Sequence, residues 1–282
     1  TELGTPGPLY TSIRRISMFA SRFGRILSNL DAHRASVGVH PSAVAKPRPV
    51  KADAGEAGLS VVHCVGSQGG VVFVFGDETG TAKSQTTTLL LPDGGQLPID
   101  IGDQPVAWYL LNARVTGRAN VDYSNLSPFA VAGRTYVCFG PAGMHGVISI
   151  NGSVAEIDVP KGKVPTVLEH EGLVLVVASL EHLDTIIVEN DTVYLGVEGT
   201  SRDGAVVPIE KTYQRISGDG QISTHKVSGV TVKAAYPTSY KKVKNGAANG
   251  NKLTLADWAF APTTEHLSGE SARFATIAGP AS

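Results

Sequence analysis

Two pairs of carboxylates have a spacing that chemistry could use: Glu156 with Asp158, and Glu169 with Glu171. On a strand, residues i and i+2 share a face about 6.6–7 Å apart. Glycoside hydrolysis needs two carboxylates about 5–5.5 Å apart for retention, or about 6.5–9.5 Å apart for inversion. The same spacing is also that of charges along a solvated strand face, so both readings stand for each pair. His170 and His182 lie near Glu169, Glu171 and Glu181, a composition suited to a metal or acid–base site. Two histidines on loop ends fall short of the three or four convergent ligands that zinc takes. The sequence has no Gly-x-Ser-x-Gly elbow, no His-Glu-x-x-His, no phosphate-binding loop and no dinucleotide fingerprint after a strand. From these residues we assign no catalytic group and expect no metal and no cofactor.

Aromatic rings offer a different chemistry, because an apolar ring stacks on the C–H face of a pyranose. Trp108, Tyr109, Tyr123, Tyr213, Tyr236, Tyr240 and Trp258 are the candidates, with Trp108, Tyr109, Tyr123 and Trp258 foremost. A strand aromatic is more often a core residue than a sugar platform. Adjacent Trp108 and Tyr109 must face opposite sides of a strand, which predicts one ring in the core and the other exposed or at an interface. Asn125-Leu-Ser, Asn151-Gly-Ser and Asn190-Asp-Thr match the N-glycosylation acceptor pattern, although Pro128 follows the first. Cys64 and Cys138, both in strand-like apolar runs, read as buried free thiols.

The elements that must position these residues are mostly short strands. The chain holds 32 glycines in 282 residues, above the usual ~7%, and many fall between short apolar runs. The predicted strands are Leu59–Val65, Gly70–Phe75, Thr86–Leu91, Val106–Leu111, Thr135–Phe139 and Gly146–Ile150. A second set follows at Val154–Val159, Thr166–Leu168, Leu173–Val177, Thr185–Val188, Val193–Val197, Val206–Lys211 and Gly229–Ala235. Asn190-Asp191 reads as a hairpin turn. Ahead of the strands, Leu9, Ile13, Ile16, Ala20, Phe23, Leu27 and Leu30 recur at helical spacing, and Pro8 stands where a helix tolerates it. The expected architecture is an amphipathic helix (1–32), a Pro-rich linker (33–57), two antiparallel β-sandwich modules (58–152 and 153–245) and an irregular tail (246–282).

Twenty-four basic against 25 acidic residues leave a net charge of -1, which gives no electrostatic case for nucleic acid. The longest apolar run, Leu173 to Leu180, is strand-sized and far below the ~20 residues of a membrane-spanning helix. The first residue is Thr1, with no signal segment behind it, so the chain reads as a processed product or a piece of something longer.

Several segments, in order, resemble family 35 glycoside hydrolases, the large β-galactosidases. Gly7-Pro8-Leu9-Tyr10, Ile13-Arg14-Arg15-Ile16, Phe19 and Phe23-Gly24 resemble the last helix of that family's catalytic barrel. Thr88 to Gly94 with Leu97-Pro98-Ile99, and Val121-Asp122-Tyr123-Ser124, resemble parts of its second domain. So do Thr135–Phe139, Gly140 to Gly143 and His145-Gly146. Leu255-Ala256-Asp257-Trp258 with Glu265 resembles the linker ahead of its jelly rolls. Asn125 stands where the family pattern has Thr, and Gly146 where it has Glu. The resemblance implies a secreted, non-catalytic β region that braces the barrel and helps wall its cleft, with β-galactosides or polysaccharide as ligands. The family's catalytic glutamates would precede Thr1, so the isolated chain should not hydrolyse aryl β-galactosides. The helix should pack away from its own sheets, with Ile13, Ile16, Phe23 and Leu27 meeting the barrel or another chain of the enzyme. The alternative is a free-standing carbohydrate-binding or assembly module, since folds are reused for unrelated functions.

Overall fold

The computed structural model describes residues 8–31, 38–39, 59–76, 85–91, 95–200, 206–226, 241–242 and 258–259. The protein is mostly β, with antiparallel sheets and a single helix of any length among the described residues. Helix α1 (Pro8–Arg22) starts on its proline. It breaks at Phe23, whose ψ of 19° leaves the helical region, and resumes for one turn as α2 (Gly24–Leu27).

The centre is a six-stranded antiparallel sheet. Its order is β11 (Ser153–Asp158), β10 (His145–Ile150), β7 (Asn120–Ser124), β6 (Val106–Arg114), β3 (Gly69–Phe75) and β2 (Ser60–Gly66). A four-stranded sheet lies on one face, in the order β12 (Thr166–His170), β13 (Leu173–Ser179), β9 (Thr135–Gly140) and β8 (Ser127–Ala132). β13 and β9 run parallel. The two sheets share one core. Val71, Trp108, Leu110, Val121, Ile148 and Ile150 enter it from the central sheet; Phe129, Val137, Phe139, Leu175 and Val177 are among those entering from the other. This is sandwich packing, with alternate residues of each strand turned inward.

The residues between them are buried too. Val72, Val74, Ala107, Tyr109 and Leu111 point to the opposite face, where β4 (Thr86–Leu90) and β5 (Gln96–Asp100) cover them with Leu89, Leu97 and Ile99. Residues 38–39 of the expected linker form β1 (Gly38–Val39), which pairs with Leu89 and Leu90 of β4. The rest of that linker lies outside the described residues. A central sheet covered on both faces explains why β3 and β6 read as nearly continuous apolar runs rather than alternating ones.

Three findings correct the sequence reading. First, no module boundary falls at 152/153. β10 and β11 are a hairpin of the central sheet, in register from His145↔Asp158 to Ile150↔Ser153, and β12 and β13 complete the sandwich. Second, several strands escaped prediction: β5, β7, β8, β18 (Thr212–Ile216) and β19 (Ile222–Lys226). Prolines hid two of them. Pro98 lies on β5 and Pro128 on β8, each at the edge of its sheet, and a register shift follows Pro128. Edges and bulges are where a strand tolerates the missing N–H. Third, α1 does not turn its whole apolar face away from its own sheets. It packs along β8, and Phe19, Phe23 and Ile26 are each 2% exposed in the sandwich core. The Phe19 ring lies on Trp108 at 5.3 Å, and Phe23 meets Tyr136 edge-on. After α2 the backbone bridges at Leu30 to Gly66 on β2. A Cβ on Gly66 would collide with the Asn29 carbonyl there.

Beyond β13, a 3-10 helix (Leu180–Thr185) leads into a second four-stranded antiparallel sheet, in the order β14 (Ile186–Glu189), β15 (Thr192–Leu195), β18 and β19. Helix α1 fastens it. Arg14 and Arg15 both bind the Asp184 carboxylate, at 3.0 and 2.7 Å, and also donate to the carbonyls of Ile186 and Leu180. Two short ribbons complete the described strands: β16 (Val197–Thr200) with β17 (Val206–Pro208), and β20 (Lys241–Lys242) with β21 (Trp258–Ala259). The predicted strand at 229–235 and most of the tail lie outside the described residues.

Candidate functional site

The β14–β15–β18–β19 sheet shows two unlike faces, and its alternation explains why. Ile186, Val188, Val193, Leu195 and Ile216 turn inward and join the sandwich core. The intervening residues, Ile187, Glu189, Tyr194, Tyr213, Arg215, Ser223 and His225, must then share the outer face. Two turns set the register. Asn190, at φ 48°, makes the β14–β15 hairpin. Asp219 holds the β18–β19 turn by accepting from the Ser217 hydroxyl (2.6 Å) and the Gln221 N–H (3.2 Å). The Ser217 hydrogen bond is the main reason that the Asp219 carboxyl sits below the usual carboxylate range. This turn is anchored to the sandwich: Arg134 donates its N–H to Gly218 O and its guanidinium to the carbonyls of Asp219 and Gly172. Gly133, at φ +56°, lies so close to Gly218 that a side chain would strike its carbonyl.

Three rings therefore line up across three neighbouring strands. Tyr213 and His225 face each other in register and stack at 5.0 Å with 13° between planes. Tyr194 follows at 6.4 Å from Tyr213. The His225 Nε2 shares a hydrogen bond with Ser223, and Arg215 lies exposed beside Tyr194 in register. The half-buried rings, with the Ser223 hydroxyl and the Arg215 guanidinium beside them, form an aromatic platform on this outer face. Tyr213 also borders a cleft of about 250 Å3 with Lys163, Glu210, Gln214 and Thr224.

The foremost sequence candidates lie elsewhere. Trp108 and Tyr109 do face opposite sides of β6, but both are buried, at 5% and 1% exposure, because the central sheet is covered on both faces. The Trp108 indole donates to Pro128 O at 2.8 Å, and the Tyr109 hydroxyl shares a hydrogen bond with Ser127. Burial pushes the Tyr109 phenol well up. Tyr123 is half-buried against the β4–β5 layer. Trp108 and Tyr109 are packing residues and offer no ring face to a sugar. The Trp258 backbone pairs with Lys242; its side chain, with Tyr236 and Tyr240, lies outside the described residues. Sequence reasoning included Tyr213 but not Tyr194 or His225. The available signal was their shared position, outward between inward apolar residues, though only strand register makes them neighbours.

The carboxylate pairs also resolve. Glu156 and Asp158 share one exposed face of β11, and His145 stands between them, with Nδ1 3.1 Å from Asp158 and Nε2 3.6 Å from Glu156. The two ring nitrogens address different carboxylates, so the three groups do not converge on one point. Glu169 lies exposed on β12, and Glu171 is in the following turn at φ 46°. His170 contacts Ser153 O and His182 contacts the Ser179 hydroxyl. Among the described residues no group of three potential ligands could hold a metal ion. Asn125 is buried, and its amide serves Pro98 O, His145 O and the Val147 N–H; Asn151 and Asn190 are exposed on turns. Cys64 is half-buried and Cys138 buried, both as free thiols.

Ile13 and Ile16 on α1 are exposed, Leu27 on α2 is half-buried against the core, and Phe23 between the two helices belongs to the core. Phe23 is thus removed from the partner-facing set. No protein-family model and no curated protein matches this chain.

Proposed function

We propose that this chain is a non-catalytic β region of a secreted glycoside hydrolase of the β-galactosidase type, bracing the catalytic barrel through the outer face of α1. One observation carries the reading: α1 is apolar on two sides. Phe19, with Phe23 just past the helix end, fills the protein's own core, while Tyr10, Ile13 and Ile16 stand 55%, 51% and 48% exposed. A row of large apolar side chains in water favours a partner. The resemblance of Gly7 to Gly24 to the last barrel helix supplies that partner's identity. A helix lying between sandwich and barrel would serve both.

The test is co-expression with a family 35 catalytic barrel. Ile13→Asp with Ile16→Asp should abolish association and leave circular dichroism and melting unchanged. Undiminished association would sink the proposal. The isolated chain should not turn over aryl β-galactosides; turnover that disappears when one of its carboxylates is replaced would overturn the non-catalytic assignment.

The platform of Tyr194, Tyr213 and His225 favours a second reading, a carbohydrate-binding module. Neutral galacto-oligosaccharides should shift the NMR signals of these rings, and Tyr213→Ala should remove the effect. Identical titrations of parent and variant would dismiss it.

A further inference from the structure

A cleft of about 530 Å3 opens where α1 and α2 meet the ends of β3 and β6. Arg22, Arg25 and Arg114 line it together with Gln68, Phe23 and Ile26. Among the described residues none of the three arginines pairs with a carboxylate. The contrast with Arg14 and Arg15, which share Asp184, is direct.

Two of the three are nonetheless held in place. Arg22 donates to Asn190 O at 2.6 Å and Val188 O at 3.5 Å, and Arg114 donates to Gly117 O at 3.2 Å. Neutral carbonyls order these two side chains and leave their charge intact, so part of the ordering cost of holding an anion is already met. The chain's net charge is only -1, so attraction of an anion to this cleft would come from its three guanidiniums and not from the chain as a whole. Three guanidiniums sharing one concavity focus the field on an entering anion, and their forked donors match carboxylate and sulfate oxygens.

The remaining wall is mixed. Val115 adds apolar surface beside Phe23 and Ile26. Thr116 accepts from the N–H groups of Arg118 and Ala119, which leaves its own hydroxyl hydrogen to donate. The Gln68 side chain adds an amide.

We propose that this cleft binds an acidic saccharide, its oxyanion seated among Arg22, Arg25 and Arg114 and its ring against the Val115 side. The saccharide class rests on the carbohydrate reading above; the oxyanion requirement rests on the arginines alone. A uronate carboxylate and a sulfate ester present the same chemistry to the guanidiniums, so both are probes.

Calorimetric titration of the whole chain would use a trigalacturonate, a sulfated galactan oligosaccharide, a neutral galactan oligosaccharide of equal length and sodium sulfate. At least one acidic oligosaccharide should bind, weakening as salt rises, while the neutral one should not bind at this cleft. Arg25→Gln with Arg114→Gln should reduce affinity at least tenfold with unchanged melting, since both side chains are exposed. The Arg25→Lys, Arg114→Lys pair should retain part of it, as charge persists without the fork. Equal binding of the neutral oligosaccharide, or undiminished binding by the glutamine variant, overturns the proposal. Arginine-dependent binding of sulfate without either acidic saccharide also overturns it, and so does an adventitious ion only. Neutral-sugar binding lost in Tyr213→Ala but kept in the arginine variant belongs to the ring platform; found together with no arginine-dependent binding of either acidic saccharide, it would leave the carbohydrate reading standing and remove this one.

Discussion

Tyr136 is fully buried in the sandwich core, and its hydroxyl has no hydrogen-bond partner among the described residues. Burial, and then the nearby Cys138 thiol, hold its phenol far above the ordinary tyrosine value. An orphaned buried hydroxyl costs its desolvation without return, so Tyr136→Phe should raise stability by about 1 kcal/mol. Chemical denaturation would check this, and a comparable loss would reveal a concealed partner. His63 on β2 has both ring nitrogens buried and unpartnered, and desolvation lowers its pKa below the ordinary histidine value of 6.5. Its folded value lies below its unfolded value, so the unfolded chain takes up the proton first. The stability contribution is complete above pH 6.5 and declines as pH falls toward the depressed folded value. His63→Leu should therefore lose less melting temperature than the parent between about pH 7 and about pH 5, on either side of the ordinary histidine range. Parallel melting curves at both pH values would contradict this.

At the scale of elements, α1 separates packing from docking along a single helix. Phe19 lies on Trp108 and is fully buried, whereas Ile13 and Ile16 face water. Phe19→Ala should cost about 3–5 kcal/mol, because it opens a cavity in the shared core. Changing Ile13 and Ile16 to Asp should move stability by no more than about 0.5 kcal/mol per site. Urea unfolding of the two variants side by side would measure the difference. Equal destabilisation would mean that the outer face is also structural. The helix was legible from its periodicity, but that periodicity marks one apolar stripe and cannot say which of its residues meet the protein's own sheets. Phe19, off the predicted list, proved central; Phe23, on it, proved internal.

For the whole molecule, the central sheet determines what can fold alone. Residues 1–152 lack β11, β12 and β13. They would leave β9 without its parallel partner and Val137, Cys138 and Phe139 without their cover from Leu175, Val176 and Val177. A chain ending at Gly152 should therefore show no cooperative melting transition and no native near-ultraviolet dichroism, because half of one sandwich layer is missing. A sharp transition in that chain would restore the boundary expected at 152/153. The Arg14–Asp184–Arg15 cluster and the Arg134 bonds to Gly172, Gly218 and Asp219 extend the same unit into the β14–β19 sheet.

The mostly β class, the N-terminal helix and most strand positions were determined by local pattern: short apolar runs, turn residues between them and one helical repeat. Those signals depend on the chain's own geometry, a period near two for strands and near 3.6 for helices. Register and layer order depend on distant residues and leave no such mark. Only the tertiary structure decided that Trp108 and Tyr109 are both interior, since that required the β4–β5 layer to cover the second face of β6. It alone placed Pro98 and Pro128 at sheet edges, where a missing N–H goes unused. It also brought Tyr194, Tyr213 and His225 onto one platform, and Arg22 and Arg25 into one cleft with Arg114. Strand pairing and packing join residues far apart in sequence, so their meeting is a property of the folded chain rather than of any local segment.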